Sequence, residues 1–388
     1  MIRLLTAYTC ELDDINGAVD EIMQQLQLEK RLLRHSVGIL AFHPEFLETG
    51  VVKAVSDALP FDAVGGTAST TAVTGAMGDL MLTVGVLTSD DILFRTGACC
   101  LAQEEPQAAI QRLYARLVPP FTEKPALLFT LAPVMADFSG DDFIAALDAV
   151  SGGVPVFGSL PFTHMPDSSG IEICCNGEHH AGLFTLVAMF GEVNPEFYHT
   201  DIPDDRIIHK KAVITGAVKN RIQSINNIAS LDYLESIGLA EKGSIAGIGA
   251  LPFVLTLDDG SRVVRSAYSI AGEGEILTYG AVPQGAKIGF ADGSAAYVLQ
   301  SVKDDIARAV AARGSSDALI VSCEGRKWTI GTDATAEIKE LAEHLDRSCA
   351  YQFAYAAGEL CPVKNLGGRT VNAFHNFSMI ACVLRSGR

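Results

Sequence analysis

The sequence predicts an α/β protein of repeated βαββ units that form mixed sheets flanked by helices, with an antiparallel meander in the second half. One observation is a recurring order of apolar strand, amphipathic helix, strand ending near glycine and closing apolar strand. This order occurs at residues 35–95, at 124–190 and again from residue 318 onward. The other is a series of short strands separated by Asp-Gly and Glu-Gly turns after residue 210.

The composition is that of a globular chain with a large core. The chain has 388 residues, of which 48% are hydrophobic, and a formal net charge of −17. This charge repels phosphate backbones and anionic lipids, and no run of Lys or Arg offsets it, so we expect neither nucleic-acid nor membrane binding. The sequence has no apolar run of the roughly 18 residues that a spanning helix needs and no secretory signal pattern. We therefore expect a cytoplasmic protein.

The first unit follows a predicted strand and an amphipathic helix within residues 11–28. Its predicted elements are a buried strand at 36–42, a helix at 47–59, a strand at 61–66 and a closing strand at 80–87. Residues 67–78 are rich in Gly, Ser and Thr and predict a loop at a strand end. Loops in this position are where α/β folds usually bind ligands.

The second unit contains the firmest local prediction, a β-hairpin whose two-residue turn is Asn176-Gly177. Before it, we predict helices at 106–117 and 141–150, the second capped by Asp141, and strands at 126–131 and 155–159.

The hairpin also suggests a metal site, because its turn places Cys174 opposite His179 on one face and Ile173 opposite His180 on the other. Only two good ligands share a face, whereas zinc usually has three or four, so we expect cross-strand packing and no metal. The chain has nine cysteines and no Cys-x-x-Cys pair. This pattern favours reduced thiols over a disulfide framework.

The sequence becomes more polar after Phe197, and we predict a boundary there between two domains, 1–210 and 211–388. The second half begins with the strands of the meander, at 211–218, 252–257, 262–268 and 275–279. The third unit then has a strand at 318–322, a loop at 323–326, a helix beginning near Asp333 and a closing strand at 377–384.

Short motifs in this order resemble the FIST family, named for F-box and intracellular signal transduction proteins. In the third unit they are Ser322-Cys-Glu-Gly-Arg326, Ala357-Gly-Glu-Leu-Cys-Pro362 and Phe374-His-Asn376. In the first half they are Val37-Gly-Ile-Leu40 and Val64-Gly-Gly66, and at the junction Thr215-Gly-Ala-Val-Lys-Asn220 and Leu251-Pro-Phe253. The resemblance spans nearly the whole chain.

The resemblance implies an intracellular sensory module that binds a small ligand such as an amino acid. Some members of the family are associated with haem and a response to nitric oxide, so the resemblance also implies noncovalent haem as an alternative. One motif departs from the family, since Gly65-Gly-Thr-Ala-Ser-Thr-Thr71 lacks a Gly-Glu pair that members often carry there. No output segment such as a kinase or cyclase is attached, so signalling would pass through a separate protein such as a sensor kinase or cyclase.

The third unit holds most of the suggestive polar residues. Arg326 offers a planar fork of donors for a carboxylate, and Glu359 could bind an amine, so the two would hold an amino acid at both charged ends. Backbone N–H groups at glycines would allow close approach. The alternative is that Arg326 and Glu359 pair with each other. The predicted ligand-binding residues are Cys323, Arg326, Glu359, Gly358, His375, Asn376, Gly65, Gly66 and Thr67.

A thiol enzyme is a further alternative, with Cys323 as nucleophile, His375 as base and Glu359 orienting it, as in a Cys-dependent hydrolase or transferase. About ten residues separate Cys323 from the predicted helix, whereas a reactive cysteine usually sits at a helix N-terminus. We therefore expect no catalysis. Convergence of loops 65–78, 161–166, 323–326 and 358–362 on one cavity would favour a binding site over an architectural role.

Overall fold

A computed structural model gives the fold of the chain. It describes residues 2–120, 123–163, 170–241, 247–272, 274–291, 293–311, 316–345 and 349–385. Within these residues no helix has the length and apolar character needed to cross a membrane, and all nine cysteines are free thiols.

The first part of the chain forms one strand, two helices and the first βαββ unit. The elements are β1 (Ile2–Thr9), α1 (Ile15–Leu26), α2 (Leu28–Arg31), β2 (His35–Phe42), α3 (Glu45–Glu48), α4 (Val51–Ala58), β3 (Ala63–Thr67), β4 (Thr71–Val73), β5 (Ala76–Gly78), β6 (Leu82–Ser89) and β7 (Leu93–Cys100). The single helix predicted at 47–59 is two short helices, because Gly50 has a positive φ of 82° between them. The loop predicted at 67–78 is wrong in part, since it contains β4 and β5.

The second unit follows the same plan. Its elements are α5 (Pro106–Leu117), β8 (Leu127–Leu131), α6 (Gly140–Ser151), β9 (Val156–Leu160), β10 (Ile173–Cys175), β11 (Glu178–His180) and β12 (Leu183–Phe190), followed by β13 (Glu196–His199). The predicted cap of α6 is wrong by two residues: Ser139 caps the helix in a capping box with Asp142. Asp141 instead forms an ion pair with Arg265 at 2.8 Å.

The middle of the chain forms an antiparallel sheet with one helix against it. Its elements are β14 (Ile207–Val218), β15 (Arg221–Ile225), β16 (Ile228–Ala229), α7 (Ser230–Ser236), β17 (Phe253–Thr256), β18 (Arg262–Arg265), β19 (Ala267–Ala271), β20 (Glu275–Thr278) and β21 (Lys287–Ala291). The sheet is antiparallel, as predicted, and its end strands β18 and β19 are consecutive in the chain. A helical segment follows, as α8 (Ala295–Ser301), a π-helical turn (Val302–Ala307) and α9 (Arg308–Ala311).

The third unit completes the described chain. It consists of β22 (Ser316–Cys323), α10 (Glu324–Ile330), α11 (Ala336–His344), β23 (Tyr351–Ala356), β24 (Gly358–Lys364), β25 (Thr370–His375) and β26 (Met379–Arg385). The loop predicted at 323–326 is wrong, because α10 begins directly after Cys323.

Strand pairing confirms that the three units share one design. In each unit the first strand is parallel to the second and antiparallel to the closing strand. These pairs are β2 with β3 and β6, β8 with β9 and β12, and β22 with β23 and β26. The α/β fold of repeated βαββ units in mixed sheets, with an antiparallel sheet in the second half, is therefore confirmed. The division into 1–210 and 211–388 stays a prediction.

Each of the three mixed sheets also receives strands from elsewhere in the chain. The hairpin β4–β5 leaves the first unit and pairs with β23 of the third. The hairpin β24–β25 leaves the third unit and pairs with β9 of the second, and β10–β11 leaves the second and pairs with β3 of the first. The three units are thus tied together by backbone hydrogen bonds.

The three sheets pack inner face to inner face. One core cluster contains Ile39 of the first unit, Phe129 and Phe157 of the second, and Leu319 and Val321 of the third. The outer faces pack on helices, with α1 and α4 covering the first sheet, α5 and α6 the second and α11 the third. The middle of the molecule is therefore the meeting point of all three repeats.

Candidate functional site

An internal cavity of about 50 Å³ lies where the three sheets meet. Its wall comes from the first two strands of each unit and from the residues just after them. Gly66 and Thr67, two of the predicted site residues, line it together with Ser159 and Pro161. A cavity of this volume has room for a few waters and is smaller than a ligand pocket, which typically has about 300–1,000 Å³.

One buried polar atom in the cavity wall, Gln352 Oε1, has no hydrogen-bond partner among the described residues. The other end of the Gln352 amide is used, since Nε2 donates to the Ile39 carbonyl at 3.0 Å and to Thr83 Oγ1 at 3.3 Å. Burial raises the pKa of the Tyr355 phenol well above its usual range, so its hydroxyl keeps its proton. The Tyr355 ring packs with Phe353 in the core beneath α11, and its hydroxyl lies against Glu337, so the cavity offers an occupant one free acceptor, the Gln352 oxygen.

Beside this cavity, α10 presents two buried charges to the segment that follows β3. The Lys327 ammonium donates to Thr70 Oγ1 at 2.7 Å and to Ser69 Oγ at 3.2 Å. It also lies over the ring of Tyr355, 5.6 Å from the centroid. The Glu324 carboxylate accepts a hydrogen bond from the Ser69 hydroxyl. A pair of opposite charges thus adjoins a wall residue of the cavity.

The ion pair between Glu324 and Lys327 has a long separation. Their closest charged atoms are 3.8 Å apart, and Glu324 Oε1 has no hydrogen bond of good geometry in the described part of the chain, although the Trp328 side chain lies close enough to lower the pKa of this carboxyl. Burial raises the pKa of the Glu324 carboxyl, and the Lys327 charge opposes this. Burial likewise lowers the pKa of Lys327, and the Glu324 charge opposes this too. Both groups are costly to bury as charges unless they are paired.

Two partly exposed residues lie beside these charges, Trp328 and Asp79. Trp328 is the only tryptophan of the sequence; it is 46% exposed and packs edge-on against Phe162 at 5.7 Å. Asp79 is 52% exposed and lies 3.7 Å from the Lys327 ammonium. An aromatic side chain therefore stands beside the charge pair and can report on its occupancy.

Arg326 lies on the other side of α10 and is 1% exposed. Its guanidinium is 2.7 Å from a carboxylate oxygen of Glu337 on α11. Its remaining hydrogen bonds go to Thr200 Oγ1 at 3.2 Å, Ser301 Oγ at 3.0 Å and the Val298 carbonyl at 3.2 Å. A ligand carboxylate at Arg326 would have to displace Glu337.

The alternative in which Arg326 pairs with Glu359 is wrong, because Glu337 takes that place. Glu359 is fully buried, and its carboxyl oxygens have no hydrogen bond of good geometry among the described residues, although the Cys323 thiol and the Ser378 backbone lie beside them. Burial raises the pKa of the Glu359 carboxyl well above its usual range, although the neighbouring Cys323 thiol acts in the opposite direction. The carboxyl is therefore held in its neutral form.

Cys323 is the residue before α10, so our argument that a long loop separates it from a helix is wrong. The helix start does not activate the thiol. Cys323 is 2% exposed, and burial together with Glu359 raises the pKa of the thiol well above its usual range. Cys323 and His375 share no hydrogen bond in the described structure, so the nucleophile and base of the enzyme alternative are not brought together.

The remaining third-unit residues of the predicted site surround Glu359 as structural contacts. The Asn376 amide donates to the Ala357 carbonyl at 3.1 Å and its oxygen accepts from the Ser266 backbone at 3.3 Å. A Cβ added at Gly358 would lie 2.4 Å from the Phe374 ring.

His375 hydrogen-bonds through Nε2 to the Cys361 carbonyl at 3.0 Å. Burial and the adjacent His199 lower the pKa of its imidazole to about 4. The ring is therefore neutral at physiological pH.

The predicted loops thus converge only in part. Gly66, Thr67 and Pro161 line the cavity, and the start of α10 lies next to it. Residues 164–169 lie outside the described part of the chain. Gly65 is fixed by packing, because a Cβ there would lie 2.7 Å from Leu40 Cβ.

Sequence reasoning missed several polar residues around the cavity, namely Ser69, Thr70, Glu324, Lys327, Gln352 and Tyr355. A signal was available for two of them. Gln352 and Tyr355 are polar positions within an otherwise apolar strand, which is unusual unless the polar atoms have a role.

The hairpin that suggested a metal site has the predicted register, with Cys174 opposite His179 and Ile173 opposite His180. The His179 ring is hydrogen-bonded to the Glu172 carboxylate, and Cys174 packs in the core of the first unit. Within the described residues, no group of three or more His, Cys, Asp or Glu side chains could hold a metal ion.

Comparison with known families gives two matches that lie end to end. The model of the FIST N domain matches residues 36–228 and the model of the FIST C domain matches residues 230–362. Cys323, Arg326, Gly358 and Glu359 fall within the second match, and His375 and Asn376 lie beyond it. No curated protein matches the chain.

Proposed function

Because the chain belongs to the FIST family, whose domains are associated with sensing in signal transduction, we propose that it is a sensory protein that binds a small ligand. The ligand is an amino acid or a similar zwitterion, and the site is the contact between α10 and residues 69–70. The protein acts in the cytoplasm and passes the signal to a separate protein such as a sensor kinase or cyclase.

The observation that carries this proposal is the unpartnered Glu324 Oε1 beside the Lys327 ammonium. A ligand ammonium would supply the missing donor to Glu324. A ligand carboxylate would meet the Lys327 ammonium, which the Ser69 and Thr70 hydroxyls hold in place as acceptors. Charge-assisted hydrogen bonds of this kind recognise both ends of an amino acid.

The side chain of the ligand would enter the cavity, where the Gln352 oxygen is a free acceptor. The cavity of about 50 Å³ has to widen, so binding would move the segment 67–80 away from α10. That segment contains β4, which pairs with β23. A movement there changes the surface of the third sheet, and a partner could recognise this change.

Haem does not fit this cavity. A haem needs a far larger apolar cavity and an axial ligand such as His or Cys. The cavity is small, and none of its lining residues is His or Cys. We therefore assign no role to haem, and a Soret band of the protein after haem addition would contradict this assignment.

A thermal-shift screen of single amino acids tests the proposal, with Trp328 fluorescence as a second readout. We expect at least one amino acid to raise the Tm of the wild type and to change its emission. The same amino acid should not raise the Tm of Glu324→Gln or Lys327→Met. It should raise the Tm of the control Lys339→Met, which alters an exposed lysine on α11, as it does for the wild type.

Circular dichroism confirms in each case that the variant is folded. The proposal fails if no amino acid shifts the wild type, or if Glu324→Gln and Lys327→Met respond as the wild type does. Arg326→Ala is a poor variant for this purpose, because it leaves Glu337 buried without its counter-ion.

A further inference from the structure

A second cleft lies at the surface of the second unit, between β7 and α5. It has a volume of about 290 Å³. Its floor is apolar, formed by Ala98, Cys99, Ala109 and Leu113. Burial raises the pKa of the Cys99 thiol to about 11, so the thiol is protonated and belongs to this floor. A volume of this size fits a ligand somewhat smaller than a drug-sized molecule.

Two arginines, Arg112 and Arg116, also line the cleft. They are four residues apart on α5 and therefore point to the same side of the helix, where two like charges repel each other. The chain as a whole has a net charge of −17, so two exposed guanidinium groups on one cleft form a local site of opposite sign. Such a site attracts anions.

The backbone of β7 holds one of these arginines in place. Arg116 Nη2 donates to the Ala98 carbonyl at 3.2 Å. A Cβ at Gly97 would lie 2.9 Å from the same nitrogen, so the glycine leaves room for the guanidinium. β7 is also the last strand of its sheet, and two of its residues, Ala98 and Cys99, line the cleft.

The other arginine already binds a carboxylate. Glu104 lines the cleft and forms an ion pair with Arg112. Both side chains are well exposed, at 39% for Glu104 and 60% for Arg112, and exposed pairs of this kind contribute little and exchange readily. The Glu104 carboxylate thus marks where the acid group of a ligand fits.

We propose that this cleft binds a small organic acid whose carboxylate replaces that of Glu104 on Arg112 and also reaches Arg116, with its apolar body on Ala98, Ala109 and Leu113. An apolar body distinguishes such an acid from inorganic phosphate, which would bind the charges alone. The site is separate from the one at α10, so either can fail without the other.

Isothermal titration at low ionic strength tests this, since salt screens exposed charges. The probes are benzoate, benzamide as its neutral analogue, and inorganic phosphate. We expect benzoate to bind, and benzamide and phosphate to bind at least about tenfold more weakly. Arg112→Gln and Arg116→Gln should each weaken benzoate by about five- to tenfold. Glu104→Gln should tighten it, because the competing carboxylate is gone.

The matched control is Arg369→Gln, an exposed arginine before β25, at the opposite edge of the same sheet. It should bind benzoate as the wild type does. The proposal is overturned if the wild type does not bind benzoate, if phosphate binds as tightly as benzoate, or if both cleft arginine variants bind like the control. Weaker binding by Glu104→Gln would also overturn it.

Discussion

Arg326 on α10 and Glu337 on α11 form an ion pair that is sealed from solvent, with their charged atoms 2.7 Å apart and side chains 1% and 0% exposed. Glu337 also accepts a hydrogen bond from Ser322 Oγ at 2.8 Å. The pair therefore joins both helices to the end of β22, and it explains why Arg326 is not directed at the cavity.

Removing one partner of this pair should be strongly destabilising. Glu337→Gln leaves the Arg326 charge buried without a counter-ion, and we expect a loss of about 3–5 kcal/mol in the free energy of unfolding. Urea denaturation followed by Trp328 fluorescence measures it. The control is Asp333→Asn, which breaks the exposed pair with Lys339 and should cost far less than Glu337→Gln, because exposed pairs contribute little. Equal losses in the two variants would contradict a structural role for the buried pair.

Glu359 should make stability fall as pH rises. Its carboxyl has a raised pKa in the folded protein, so the folded state keeps a proton that the unfolded state releases above the ordinary value of 4.5. By linkage, this contribution is fully present below that value and is lost progressively at higher pH. The isosteric Glu359→Gln does not titrate. The stability of the variant relative to the wild type should therefore increase from acid to neutral pH, and a difference that is constant with pH would refute the neutral carboxyl.

Gly66 should tolerate no side chain. A Cβ at this position would lie 2.6 Å from Pro161 Cγ, in the cavity wall where the first and second units touch. We expect Gly66→Ala to lose about 1–3 kcal/mol, the usual range for overpacking. Gly78→Ala is the control, because its Cβ would meet only Met81 Cβ, at 3.9 Å. Thermal unfolding of both variants measures this loss. If Gly66→Ala is as stable as Gly78→Ala, the cavity wall shifts to accommodate the added methyl group.

Cys323 should be inert to alkylation in the native protein. The thiol is buried, and its pKa is raised well above the usual range, so little thiolate exists to react. Mass spectrometry after iodoacetamide treatment should find Cys10, which is exposed, modified before Cys323. Cys323 should react only after denaturation. If Cys323 in the native protein is labelled as fast as Cys10, the thiol is accessible and reactive, and the prediction is wrong.

The repeated unit could be predicted because its signal is local and repeated. Each buried strand is a short apolar run, and each unit presents these runs in the same order with a helix between them. The hairpin at Asn176-Gly177 was predicted to the residue because a two-residue turn fixes the register of its strands. Both features depend on neighbouring residues alone.

The missed elements depend on distant partners. The strand β4 has three residues and pairs with β23, so nothing in its own sequence separates it from a loop. The helix α10 has seven residues and includes Gly325 and two β-branched residues at its end, a composition with weak helix propensity. Its stability comes from packing and from the pair of Arg326 with Glu337.

The candidate site was predicted in part for the same reason. The motif from Cys323 to Arg326 was singled out for its polar residues, and the start of α10 lies next to the cavity. Once the segment is a helix, however, Glu324 and Lys327 turn toward residues 69–70 while Arg326 turns toward α11. The sequence alone could not assign these faces, because the segment was taken as a loop.

Because the units exchange hairpins, the sheets can be completed only late in translation. The second sheet has β9 as an open edge until residues 358–375 emerge, and β4 must wait for β23 to find a partner. A nascent chain therefore carries unpaired edges through most of its translation, a state that invites contacts with other chains. We therefore expect the nascent chain to depend on chaperones until its last strands are made.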